Sequence, residues 1–117
     1  MKTISADAAV GKIRDGETMV VPGGCANPVG FYQAFCRNVD RFKDLKIYSG
    51  LSLGGYEFLE RGLGSNFRYL TWQAGSALRK IMQQNGEDKI GFIPLRLGEL
   101  IKVVGDRNPI KIDTVLI

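Results

Sequence analysis

The stretch TMVVPGGCANPVGFYQAFCRNV, Thr18 to Val39, decides the fold. Thr18 to Val21 is an apolar run that ends at Pro22, as a buried strand would. Two glycines and a cysteine follow. Asn27 then suits a helix N-cap, and Pro28 suits the first helical position, where its missing N–H costs nothing. Phe31, Phe35 and Val39 recur at helical spacing and mark one apolar stripe. A strand, a glycine turn and a helix in that order open a parallel α/β unit.

The same alternation continues in both directions. Upstream, Ser5 is a good N-cap, Ala6, Ala9, Val10 and Ile13 share a helical face, and Gly16 can close the helix. Downstream, LKIY (Leu45 to Tyr48), FRYLTW (Phe67 to Trp72), IGFIP (Ile90 to Pro94) and DTVLI (Asp113 to Ile117) read as strands. Between them SGLSLGG reads as a loop and YEFLERG as a short helical turn. Ala77, Leu78, Ile81 and Met82 form a helical face ending at Asn85-Gly86, and LRLGELIKVV is a helix weakened by Gly98 that stops at Gly105. The expected fold is α/β: a mostly parallel open sheet of about five strands with helices on both faces.

A chain of 117 residues fits one domain. The net charge is +4, with both signs interspersed as in RNVDRFKDLK. A nucleic-acid binder would show a basic stripe, so nucleic acid is not the expected partner. Two cysteines, Cys25 and Cys36, make no disulfide framework and suit a reducing cytoplasm. MKTISADAAV is too polar for a signal peptide, and no segment reads as a membrane span. The sequence has no histidine. Ser-His-Asp and Cys-His catalysis are therefore excluded in their usual form, and no metal site is expected.

Five segments together resemble a known family: ISADAAVGKIRDGETMVVPGGCANP, LKIYSGLSLGGYEFLE, NFRYLTWQAGSALRK, IGFIPLRLGEL and IDTVLI. In this order they resemble the N-terminal domain of the acetyl-CoA hydrolase/transferase family, which includes the 4-hydroxybutyrate CoA-transferases. The resemblance implies a CoA-transferase-like fold over residues 1–117, taken as a single domain that lacks the catalytic C-terminal domain. In that family a glutamate of the second domain attacks the acyl-CoA, so no catalytic residue is expected here. The chain departs from the family at Asn66 to Thr71, where members carry histidines, and at Pro94 to Ile101.

Gly23 and Gly24 follow a strand and precede a helix, so their backbone N–H groups could face an anion. They could equally be a tight turn that needs glycine only for its dihedral angles. The resemblance implies that Gly23, Gly24, Cys25, Ala26 and Asn27 line an acyl-CoA site, with coenzyme A or acyl-CoA as a non-covalent ligand. Cys25 precedes a helix N-terminus, which lowers a thiol's pKa, but no histidine can serve as its base. It is expected as a small, partly buried residue, and Cys36 as core. Glu57 and Glu60 are expected as surface charge, Arg68 as a side chain snorkelling from a strand end, and Leu78-Arg79-Lys80 as a helix face. The expected partners are a second copy or a separate chain supplying the missing half. The contrasting expectation is a non-catalytic interaction or ligand-binding module that self-associates.

Overall fold

The computed structural model describes residues 2–85, 89–105, 107 and 109–117. Five parallel strands form one open sheet in the order β4-β3-β2-β1-β5. They are β1 (Thr18–Val21), β2 (Leu45–Ser49), β3 (Phe67–Thr71), β4 (Ile90–Phe92) and β5 (Thr114–Val115). The helices are α1 (Ala6–Val10), α2 (Val29–Asn38), α3 (Ser76–Asn85) and α4 (Leu100–Val103). Short 3-10 turns cover Gly24–Ala26, Val39–Arg41, Tyr56–Glu60 and Leu97–Glu99.

The register places Met19 beside Ile47, Ile47 beside Tyr69, and Tyr69 beside Ile90. This row crosses four strands, and every member is fully or almost fully buried. Each step from β1 to β4 moves one strand in the same direction. Right-handed crossovers therefore put α2, the Tyr56–Glu60 turn and α3 on one face. Phe35 of α2 joins that layer to the sheet: it stacks on Phe42 at 5.1 Å and meets Phe67 edge-on at 5.3 Å between ring centroids. Phe58 stacks on Tyr32 at 4.3 Å and meets Tyr69 at 5.8 Å. Outside this layer, Asp7 of α1 pairs with Arg37 of α2 at 2.8 Å.

The return from β4 to β5 runs the other way, so the same rule places Leu97–Glu99 and α4 on the opposite face. Cover there is thinner. Val20, Lys46 and Leu70 are half-buried and Arg68 is exposed. The strands thus bury one face almost throughout, with Phe92 at the β4 edge left open, and the other in part.

Several boundaries differ from the sequence reading. Ser5 does cap α1, accepting from the Ala8 N–H at 3.2 Å, but the helix stops at Gly11. Gly16 serves the turn into β1 instead, with φ at +74° and its N–H on the Lys43 carbonyl. Helix α2 begins at Val29, so Pro28 holds the capping position and Asn27 is not the N-cap. The side chain of Asn27 is used elsewhere, as shown below. YEFLE winds as a 3-10 turn, and LRLGELIKVV splits into a 3-10 turn and a four-residue helix around Gly98. IGFIP and DTVLI keep only their first or middle residues in the sheet. Gly86, expected to end α3, lies outside the described residues.

Beneath the carboxyl end of the sheet lie three buried hydroxyls, on Tyr32, Ser49 and Tyr69. Among the described residues none reaches hydrogen-bond geometry with a partner, although Ser49 lies beside both phenols. Burial pushes the Tyr69 phenol up to about 12, against the opposing pull of Ser49. Burial, then the charge of a Tyr69 phenolate, push Tyr32 up as well. A raised phenol pKa means stability that is intact below the ordinary value of 10.0 and lost as pH climbs through the folded value. Unfolding free energy measured in urea should therefore fall between pH 10 and about 12. Tyr69→Phe should flatten that fall. An unchanged slope in the variant would place the alkaline transition elsewhere.

Candidate functional site

In an all-parallel sheet, the loops after the strands gather at one edge. Here the loops after β1, β2 and β3 are bonded to one another. The Gly24 N–H donates to the Leu51 carbonyl at 2.6 Å. A Cβ on Gly23 would clash with that same oxygen, so only glycine lets the two loops approach this closely. Gly24 has φ at +61° with open space where a side chain would start. The two glycines thus have different reasons: close approach at Gly23, a left-handed turn at Gly24.

Asn27 ties the same loops from the other side. Its Nδ2 donates to the Gly54 carbonyl at 2.8 Å, and Ser52 Oγ lies 3.0 Å from its Oδ1. Tyr56 donates its hydroxyl to the Ser52 carbonyl at 2.7 Å. The Leu51 N–H donates to Gln73 Oε1 at 3.2 Å, and Thr71 Oγ1 accepts from the Gln73 N–H at 3.1 Å. The rim is a hydrogen-bonded frame built from three loops.

Inside the frame is a cleft of about 440 Å³. Pro22, Gly23 and Gly24 form one wall, Gly50 and Leu51 the next, and Trp72 and Gln73 the third. Leu97 and Leu100 close it from the thinly covered face. Among the described residues lining it, none is charged. The Gly24 N–H is already engaged by Leu51. The cleft is suited to an apolar arm with a few polar atoms more than to a phosphate.

Gly23 and Gly24 therefore stand in the cleft wall, Asn27 supports the frame, and Cys25 and Ala26 are exposed outside it. Cys25 is not the partly buried residue expected from the sequence; the 3-10 turn at Gly24–Ala26 turns it to solvent. Cys36 is half-buried and packs against the core. Glu57 and Glu60 are exposed. Arg68 is exposed on the thinly covered face, in register with Lys46. Arg79 donates to the Ala74 carbonyl at 3.2 Å, and Lys80 is exposed. Sequence reasoning missed Leu51, Trp72 and Gln73. The signal was there: each follows a strand, where parallel sheets gather their ligand-facing loops.

Among the described residues no three His, Cys, Asp or Glu side chains gather to hold a metal ion. No helix among them is long and apolar enough to cross a membrane.

The architecture is a Rossmann-like α/β fold with an all-parallel open sheet. Among solved structures it is similar to RipA from Yersinia pestis, with a TM-score of 0.80 and 18% identity. Two point mutants of RipA match with TM-scores of 0.81 and 0.80, also at 18% identity. Each match covers 96% of this chain and 27% of the RipA chain, so these residues span about a quarter of the solved protein. No family model and no curated protein sequence matches.

The two glycines make separable predictions. Gly23→Ala should cost about 1–3 kcal/mol, because the loops must part. Gly24→Ala should cost about 1–2 kcal/mol, the penalty of a left-handed backbone. Asn tolerates that backbone, so Gly24→Asn should recover most of the loss, whereas Gly23→Asn should recover none. Urea unfolding of the four variants measures this; equal recovery at both positions would mean that the Leu51 contact is not limiting.

Proposed function

We propose that this chain forms one half of a CoA-transferase-like site and receives the acyl end of an acyl-CoA thioester. The observation that carries this reading is the uncharged cleft walled by Gly23 and Gly24 at the carboxyl ends of the strands. The sequence resemblance supplies the ligand class. Affinity is weak, because three loops of one domain enclose the ligand on one side only. The catalytic group comes from outside these residues: the sequence has no histidine and the cleft wall holds no charged side chain. The free thiols Cys25 and Cys36 suit a reducing compartment such as the cytoplasm.

The expected result is binding without turnover. Calorimetric or NMR titration with acetyl-CoA should show weak saturable binding, and Gly24→Asn, which puts a side chain into the open space of the wall, should weaken it at least tenfold. Free thiol released from acetyl-CoA should stay at the uncatalysed rate. Sustained turnover after repurification, or equal binding by the variant, would overturn the reading.

A second reading is an interaction module that docks on a second copy or on a separate chain. Its support is the exposure of large apolar side chains: Phe92 at 52%, Leu97 at 70% and Ile101 at 77%. Such groups mark contact surfaces when they cluster. Light scattering across a concentration series should then show a dimer that Leu97→Glu with Ile101→Glu dissociates. A monomer at every concentration would count against self-association.

A further inference from the structure

A second cleft of about 400 Å³ adjoins the first and is lined by Trp72, Phe92, Pro94, Leu95, Arg96 and Glu99. Trp72 belongs to both clefts. Its backbone N–H donates to the Ser49 carbonyl. Its indole presses so closely on Gly50 that a Cβ there would sit 2.8 Å from Nε1. The ring is therefore held in place by the backbone of the neighbouring loop. Phe92, the last residue of β4, lies in register with the fully buried Thr71 yet is 52% exposed. An aromatic ring at the edge of the sheet thus stands open beside a fixed indole.

We infer that Trp72 is the shared wall of one two-part groove, whose outer part, between Trp72, Phe92 and Pro94, takes a flat heteroaromatic ring. This rests on the reading above: the ring is the far end of a ligand whose apolar arm lies against Gly23 and Gly24, as adenine is in a CoA ester. A fixed indole with an open phenyl ring beside it favours a flat partner through offset or edge-on contact. The exposed Arg96 can stack on the same ring. Charge does not carry the site. Glu99 shares the rim with Arg96, and its carboxylate accepts the Arg96 backbone N–H at 3.4 Å, so the two signs offset. Ring contact is the recognition element.

Trp72 is the sole tryptophan, so its emission reports on the groove directly. Three probes divide the ligand: CoA carries arm and ring, pantetheine the arm alone, and adenosine the ring alone. CoA should quench Trp72 and bind about tenfold or more tighter than pantetheine, the gain of stacking one base. Adenosine should quench weakly and saturably. Phe92→Ala should bring CoA down to the affinity of pantetheine and leave pantetheine unchanged; Phe92→Tyr should restore CoA binding. Circular dichroism checks that both variants are folded. Equal binding of CoA and pantetheine, unmoved by Phe92→Ala, would overturn the ring site and leave the acyl site standing. Binding of adenosine without pantetheine would do the reverse. No binding by any probe would overturn both.

Discussion

Phe35 is the contact on which the two layers close. It is fully buried, and its ring meets Phe31 on the same helix, Phe42 before β2, Phe58 in the 3-10 turn and Phe67 in β3. Segments far apart in the chain converge on one side chain. Their packing holds α2 over the sheet and holds the Tyr56–Glu60 turn beside α2. The positions of the loops follow. Asn27 precedes α2, and Gly54 and Gly55 precede the turn, so the Asn27–Gly54 hydrogen bond links two segments that the aromatic core has already brought together. The frame around the cleft depends on burial some distance below it.

Much of this was legible in the sequence because it depends on local periodicity. TMVV is a strand over the residues expected, and Phe31 and Phe35 face the core as their spacing requires. The alternation of strand and helix was enough for a parallel sheet, since parallel neighbours need a crossover. Boundaries were less legible. Asn27 has the chemistry of an N-cap, but its side chain is used by a loop 27 residues away, and no local pattern records that competition. Gly16 has the chemistry of a helix stop, but it is used at the next turn, where Lys43 meets it. Tertiary partners chose between local alternatives that were equally good alone.

The site was half legible for the same reason. Gly23 and Gly24 were visible as an unusual turn. Their roles were not, because one depends on the Leu51 carbonyl in another loop and the other on a dihedral angle. Leu51, Trp72 and Gln73 have no motif; they join the cleft through topology. The uneven cover of the sheet was also hidden. Arg68 and Lys46 sit in strands whose core-facing neighbours are fully buried, so their own face had to be the wetter one. That alternation separates a face packed under α2 and α3 from one sheltered, among the described residues, by Leu97–Glu99 and α4.

The chemistry of the cleft follows from how its glycines are used. A glycine turn between strand and helix invites a phosphate when its N–H groups are free and the helix end points at them. Here the Gly24 N–H is engaged by Leu51, and the first residue of α2 bonds back to Asn27. The turn's hydrogen-bonding capacity is directed to the neighbouring loops. What it leaves facing the cleft is backbone without side chains, between Pro22, Leu51, Trp72 and the two leucines of the opposite face. Such a surface gains by excluding water from an apolar chain and gives little to an anion. The glycines leave their wall open and free of polar side chains, so under the proposed reading a narrow apolar arm lies against it and recognition of anything polar falls to groups beyond it.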